Sequence, residues 1–84
     1  MVDVRWSPRA TKQLLRLERV DRAMVYEAVG SLAAFPECPS VKKLTNHRYQ
    51  YRLRVGNYRV FFNFDGGAKI AYIEEVKKRD ERTY

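Results

Sequence analysis

The first residues of the chain change from a strand-like to a helix-like hydrophobic pattern. Val2, Val4 and Trp6 alternate with charged residues, which predicts a short strand. Ser7 and Pro8 then mark the start of a helix, because a serine side chain can cap the first turn and proline suits the first helical position.

Two helices are predicted after this start. The first runs to about residue 18 and the second covers about residues 21–34, with a break near Arg19-Val20 and Asp21 as the second N-cap. Apolar residues three and four positions apart form one stripe on each helix. The predicted inward-facing residues are Ala10, Leu14, Leu17, Val25, Ala28, Val29 and Leu32. The helices should therefore form a hairpin with an apolar seam.

The second half of the chain alternates with a period of two residues. Pro36 and Pro39 end the second helix, because proline cannot continue it. Residues 41–48 are expected to be a basic connector without regular structure. Three strands are predicted at about residues 49–55, 58–64 and 69–76.

The loop between the first two of these strands fixes their register. Gly56-Asn57 is a two-residue loop with glycine first, which suits a type II′ hairpin and places Arg54 opposite Arg59 and Arg52 opposite Phe61. Opposed residues share a face of the sheet. The face expected to pack on the helices carries Tyr49, Tyr51, Leu53, Val55, Tyr58, Val60, Phe62 and Phe64. The other, here named the arginine face, carries Gln50, Arg52, Arg54, Arg59, Phe61 and Asn63. The turn at residues 65–67 has two or three residues, which leaves the faces of the last strand open.

The predicted fold class is α+β: an N-terminal strand and a helical hairpin packed on a small antiparallel β-sheet. The 84 residues suit one small domain, residues 1–84. No apolar run reaches the roughly 20 residues of a membrane span, and no signal-peptide pattern is present, so no membrane partner is expected. Cys38 is the only cysteine, which excludes an internal disulfide framework and favours a reducing cytoplasmic location.

The positive charge is concentrated in the second half of the chain. The net charge is +7. Residues 1–40 carry six basic and five acidic residues, whereas residues 41–84 carry eleven and five. Such an asymmetry indicates a polyanionic partner, although a solvated surface is the simpler alternative.

The opposed arginines are the strongest functional signal. Like charges directly opposed on a sheet cost about 0.2–1 kcal/mol, whereas a bound phosphate would gain charge-assisted hydrogen bonds of about 1.5–3 kcal/mol each. Arginine suits this role because it binds phosphate in a bidentate manner. Phe61 beside the arginines could stack a base, or it could be covered by the tail. The alternative for Arg59 is neutralisation by Glu74 or Glu75 on the neighbouring strand.

The available side chains narrow the chemistry. His47 is the only histidine, so the chain lacks a two-histidine acid–base pair, and the ligands for a metal site are missing too. No cofactor is expected. If the protein is a nuclease, it is expected to act on RNA, whose 2′-OH supplies the nucleophile while arginines stabilise charge on the phosphate. Tyr84 could carry a proton if neighbouring cations lower its pKa.

Three segments resemble the RelE/ParE superfamily of bacterial toxins. They are residues 41–44 (VKKL), 51–60 (YRLRVGNYRV) and 75–84 (EVKKRDERTY). The helical hairpin ahead of a small sheet also matches the order of elements in that family. The resemblance implies a toxin of a type II toxin–antitoxin pair, with a cognate antitoxin as partner. RelE-like members cleave mRNA on the ribosome without a metal ion, and ParE-like members poison DNA gyrase.

The resemblance also implies roles for individual residues. Arg52 lies where the family has a sheet lysine or arginine, Arg59 follows the motif tyrosine, and Arg79 and Tyr84 match a tail arginine and tyrosine. These four are the predicted catalytic residues. The predicted RNA-binding residues are Arg54, Phe61, Lys43, Arg48, Lys77, Lys78 and Arg82. Gln50 replaces a second sheet lysine, and the tail is one residue shorter before Tyr84. The RelE-like activity, a ribosome-dependent mRNA endonuclease, is favoured over gyrase inhibition and over a non-catalytic RNA-binding or ribosome-binding module.

Overall fold

The computed structural model describes residues 1–79 and forms two helices on one face of a five-stranded sheet. The elements in chain order are β1 (Asp3–Trp6), α1 (Pro8–Leu15), α2 (Arg19–Gly30), a 3-10 turn (Ser31–Ala34), β2 (Val41–Lys43), β3 (Tyr51–Val55), β4 (Tyr58–Asp65) and β5 (Ile70–Lys78). The strand order across the sheet is β1-β5-β4-β3-β2. The predicted α+β class is confirmed.

Two features of the sheet were not predicted. β1 runs parallel to β5, so the sheet is mixed rather than antiparallel. Residues 41–43, expected to be part of an irregular connector, form the edge strand β2, which pairs with β3. A three-residue strand is too short to show a period in the sequence, and it forms here because it supplies partners to the open edge of β3.

The first helix begins as the sequence indicates. The Ser7 hydroxyl accepts a hydrogen bond of 3.0 Å from the Ala10 amide, and Pro8 occupies the first helical position. The helix is shorter than predicted, because the amides of Arg16 and Leu17 bond to the carbonyls of Gln13 and Leu14 and end it.

The second helix begins earlier than predicted. Its N-cap is Glu18 rather than Asp21, and the Arg22 amide bonds to the Glu18 carbonyl at 2.7 Å. Asp21 instead lies in the first turn, where its carboxylate accepts a 2.7 Å hydrogen bond from the Tyr58 hydroxyl. The Asp21 side chain therefore links the helix to β4 instead of capping it.

The core between the helices and the sheet follows the predicted stripes. The fully buried side chains include Val25, Val29 and Leu32 from the helical region and Val60, Phe62 and Ile73 from the strands. Leu17 and Ala28 are partly buried against this cluster. Burial of apolar area is the main stabilising contribution in such a core.

The β3–β4 hairpin has the predicted register. Arg54 pairs with Arg59 and Arg52 with Phe61 across a two-residue loop. Gly56 has a φ of 54°, as the first position of a type II′ turn requires. The next turn is longer than expected, with four residues between the paired Asp65 and Ile70. The Asp65 carboxylate accepts the amides of Gly67 and Ala68 and stabilises this wider loop.

A β-bulge in β5 adapts the sheet to the first helix. Phe61 pairs with Glu75 and Phe62 with Ile73, so that Glu74 is the extra residue. The bulge leaves backbone groups outside the ladder. The Glu74 carbonyl accepts the Ser7 hydroxyl, and the Val76 amide donates to Gln13 Oε1 at 2.6 Å. β1 pairs with β5 only as far as Ile73, so Ser7, the N-cap of α1, and Gln13, in the second half of that helix, supply hydrogen-bond partners to the β5 backbone beyond this point.

We predict that Tyr58→Phe lowers the free energy of unfolding at neutral pH by about 1–2 kcal/mol, because the half-buried carboxylate of Asp21 loses a hydrogen bond. The hydrogen bond to Asp21 is the main cause that raises the pKa of Tyr58, with burial second. A raised pKa means that the stabilisation is complete below the unfolded-state pKa of about 10 and is lost as pH rises through the folded-state value.

Urea denaturation from pH 7 to pH 11 measures this effect. The difference in the free energy of unfolding between the wild type and Tyr58→Phe should become smaller above pH 10. Tyr72→Phe is the control, since that side chain is 38% exposed on the arginine face. Equal stability of Tyr58→Phe and the wild type at pH 7 would contradict the assignment.

Candidate functional site

The arginine face is organised as two rows of side chains that cross the sheet. In the first row Arg54, Arg59 and Lys77 lie side by side on β3, β4 and β5. In the second row Lys42, Arg52, Phe61 and Glu75 lie side by side from β2 to β5. Five cations and one carboxylate thus share two adjacent rows.

The cations in these rows make no ion pair with another described residue. Within residues 1–79 the salt bridges join Arg5 to Asp3 and Arg9 to Glu75. The carboxylate of Glu75, with 17% of its side chain exposed, accepts the Tyr49 hydroxyl at 3.1 Å and lies 4.0 Å from Arg9. Among residues 1–79, neither Glu74 nor Glu75 therefore neutralises Arg59.

Arg52 is the most enclosed cation of the patch. Its side chain is half-buried, and its Nε atom is buried without a hydrogen-bond partner among residues 1–79. A buried donor that lacks a partner costs about 1–3 kcal/mol.

The structure brings some of the predicted phosphate-binding residues together and separates others. Lys77 lies opposite Arg59 on the arginine face. Lys78 lies opposite Tyr58 and Lys43 opposite Tyr51, so both belong to the helix-facing side of the sheet. Lys42, which is not among the predicted RNA-binding residues, takes the place expected of Lys43, because the pleat of β2 places alternate residues on opposite faces.

The last described residue continues the arginine face. The Arg79 amide donates to the Asn57 carbonyl at 2.6 Å, beside the hairpin turn. Continued alternation from Lys77 would put Arg79 on the same face, and its bond to Asn57 places it diagonal to Arg59 across β4 and β5. Arg82 and Tyr84 lie outside the described residues.

Tyr49 lies on the arginine face rather than on the predicted core face. The reason is that side-chain hydrogen bonds replace backbone bonds of the β3–β4 ladder at this point. The Gln50 amide donates to Asn63 Oδ1, and the Phe64 amide donates to Gln50 Oε1, each at 2.8 Å. The regular alternation of β3 therefore begins at Tyr51. Tyr49 is buried and packs beside Phe61.

Three rings form a compact group on this face, here named the ring cluster: His47, Tyr49 and Phe61. The ring centroids lie 5.1 Å apart for His47 and Phe61, 5.6 Å for Tyr49 and Phe61, and 5.9 Å for His47 and Tyr49. Because these three distances are nearly equal, the ring centroids form a triangle and are not arranged in a single linear stack. Phe61 is only 7% exposed, so neighbouring side chains cover the ring that was expected to stack a base.

An open cleft adjoins the ring cluster. Its volume is about 400 Å³, and it is lined by Ser7, Pro8, Arg9, Arg48, Tyr49, Asn63 and Glu74. The Arg48 guanidinium lies 5.5 Å from the centroid of the Tyr49 ring, within the range of a cation–π contact. Arg48 thus adds positive charge beside the ring cluster, although it belongs to no strand. Within residues 1–79, no three His, Cys, Asp or Glu side chains are grouped as metal ligands.

Comparison with known families agrees with this arrangement. The family described as "ParE toxin of type II toxin-antitoxin system, parDE" matches residues 4–83, nearly the whole chain. The chain belongs to the RelE/ParE superfamily of type II toxins. No curated protein matches it significantly.

Solved structures of RelE proteins share the fold of this toxin. A chain of the RelBE2 toxin–antitoxin complex from Mycobacterium tuberculosis is 26% identical with a TM-score of 0.80, over 93% of this chain and 98% of that one. A chain of the RelE–RelB complex from Pyrococcus horikoshii is 25% identical with a TM-score of 0.80, over 98% of both. The isolated RelE toxin of E. coli, at 16% identity and a TM-score of 0.80, covers 96% of this chain and 87% of that one.

We predict that Arg54→Thr stabilises the isolated toxin by up to about 1 kcal/mol at low ionic strength, because it removes one of two directly opposed positive charges. Salt screens the same repulsion, so the gain should shrink in high salt. Urea denaturation at low and high ionic strength measures both effects.

Arg5→Thr provides the matched control for this substitution. Arg5 is also an exposed strand arginine, but it pairs with Asp3 at 3.2 Å and lies opposite Tyr72. This variant should gain no stability. An Arg54→Thr protein that is less stable than the wild type in low salt would show that the opposed charges carry no cost.

Proposed function

We propose that this toxin is a ribosome-dependent endonuclease that cleaves mRNA without a metal ion. The observation that carries the proposal is the row of Arg54, Arg59 and Lys77, with the enclosed Arg52 beside it and Arg79 diagonal to Arg59. A patch of cations without described acidic partners suits a phosphodiester. The cytoplasm, where mRNA is translated, is the corresponding location.

The proposed reaction uses the 2′-OH of the RNA as nucleophile. The 2′ oxygen attacks the adjacent phosphorus, the bond from phosphorus to the 5′ oxygen breaks, and a 2′,3′-cyclic phosphate forms. The 2′ proton passes to a base, and the leaving 5′ oxygen receives a proton. The protein contributes the alignment of the attacking oxygen and the stabilisation of negative charge on the phosphate.

The arginines divide into two pairs with different tasks in this scheme. Arg59 and Arg79 bind the scissile phosphate, where negative charge develops. Arg52 and Arg54 position the flanking backbone, and Lys42 and Lys77 add to the field that attracts it. Tyr84 is proposed as a proton carrier from the resemblance of the tail alone.

A second candidate is inhibition of DNA gyrase. It is favoured by the matching family, whose description names ParE. The density of arginines on the sheet favours RNA, because ParE-like members of the superfamily generally lack dense sheet arginines. A non-catalytic RNA-binding or ribosome-binding module would use the same patch.

We also propose a cognate antitoxin as the partner of this toxin. Two of the similar structures are toxin–antitoxin complexes by their own descriptions. On the helical hairpin, Leu14, Leu15, Ala23 and Tyr26 line an open groove with Arg19 and Arg22. An amphipathic segment with apolar and acidic residues fits this groove. Co-expression with the small gene product encoded next to the toxin should yield a stable complex, and its absence would count against this partner.

We predict that Arg59→Ala lowers the rate of mRNA cleavage on translating ribosomes by about 10²–10³-fold, as loss of one charge-stabilising donor does in other enzymes. Growth arrest on induction should be lost with it. Primer extension on translated and untranslated messages gives the cleavage rate, and Arg16→Ala, an exposed cation at the end of α1, is the control.

Combined with a gyrase supercoiling assay and a ribosome-binding assay on the same proteins, this experiment separates the three candidate functions. Wild-type cleavage by Arg59→Ala would overturn the proposed role of the arginine row. Inhibition of supercoiling by the wild type without mRNA cleavage would establish the gyrase alternative. Ribosome binding with neither activity would establish the non-catalytic module.

A further inference from the structure

His47 is the exposed member of the ring cluster, and two contacts fix its orientation. Its ring stacks on Phe61 with an angle of 16° between the planes. Its Nδ1 atom accepts a 3.0 Å hydrogen bond from the Tyr49 amide. Asn46, with a φ of 52°, turns the backbone immediately before it.

The rings below His47 are buried, whereas His47 itself is not. Phe61 is 7% exposed and Tyr49 is 9% exposed, and the Tyr49 hydroxyl is held by Glu75. The His47 ring is already held in place by the buried aromatic rings beneath it, so it loses little conformational freedom when a second planar group stacks on it. This arrangement is the one that aromatic platforms use to bind single-stranded bases.

The spacing along β4 between Arg59 and Phe61, on which His47 stacks, is close to the length of one nucleotide. Phe61, which supports His47, lies two residues from Arg59 on β4, or about 7 Å along the strand. Arg48 follows His47 directly and is exposed. A backbone held at Arg59 can therefore present a nearby base to His47, with a neighbouring phosphate close to Arg48.

We propose that His47 is the stacking surface for a nucleobase of the bound RNA, and that Phe61 and Tyr49 are the buried support that positions it. This inference rests on the proposed RNA function and names the group that takes the base. The base is held by its π-face, so the surface accepts every base.

Two substitutions separate the ring of His47 from its hydrogen bond. His47→Asn removes the ring but keeps a side-chain oxygen that can accept the amide two residues on. His47→Phe keeps a ring and removes the acceptor and the titratable group. Thr45→Ala, an exposed change in the same loop, is the control.

The test is fluorescence anisotropy with a short single-stranded RNA in which every 2′ oxygen is methylated, so that no 2′-OH is available and the RNA cannot be cleaved. His47→Asn should bind roughly 5- to 150-fold more weakly than the wild type, as loss of one stacked base implies. His47→Phe and Thr45→Ala should bind within about threefold of the wild type.

A second series moves one abasic nucleotide along the same oligonucleotide. At one position the abasic nucleotide should lower the affinity of the wild type but should not lower the affinity of His47→Asn any further. That position identifies the base that stacks on His47. Wild-type affinity of His47→Asn, or equal losses for His47→Asn and His47→Phe, would overturn the proposal. Binding is measured here without cleavage. If the abasic series identifies a base that stacks on His47 but the toxin cleaves no mRNA, only the nuclease function is refuted.

Discussion

The two-residue turn at Gly56-Asn57 is the constraint on which the arrangement of the site depends. Gly56 adopts a φ of 54°, a backbone conformation that residues with a Cβ atom rarely take. With this loop length the register of β3 and β4 has one solution, and that solution places Arg54 against Arg59. A shift by one residue would move the arginines to the core face and the apolar residues to solvent.

The core on the opposite face makes this arrangement tolerable. Val60 and Phe62 are fully buried between the arginines and the helices, and their burial far outweighs the repulsion of about 0.2–1 kcal/mol between opposed charges. The same strands therefore hold a stable core on one side and a high density of positive charge on the other. Such a conflict between local electrostatics and fold is expected where a charged ligand binds.

Much of this organisation could be predicted from the sequence, because it depends on short-range patterns. The helical stripes, the Ser7 cap and the β3–β4 register follow from residue spacing alone. The faces of β5 depend on the bulge at Glu74, which lies within the β4–β5 ladder and whose carbonyl accepts the Ser7 hydroxyl from a distant part of the chain. No local pattern at Glu74 indicates that bulge.

Side-chain hydrogen bonds and one additional strand pairing account for two further differences. Gln50 and Asn63 interrupt the ladder and move Tyr49 to the arginine face, where it supports His47 together with Phe61. An alternation rule applied to Tyr49 cannot anticipate this, since the rule assumes a continuous ladder. Similarly, Lys42 replaces Lys43 on the arginine face because β2 pairs with β3, a contact without a sequence signal.

The central claim is that the arginine face cleaves RNA through the neighbouring 2′-OH. The most direct test uses a synthetic message with one 2′-deoxy nucleotide at the cleaved position. This message is translated on purified ribosomes in the presence of the toxin. The unmodified message should be cut to a product ending in a 2′,3′-cyclic phosphate, and the deoxy message should remain intact at that position. Cleavage at the deoxy position, or no cleavage of either message, would contradict the account.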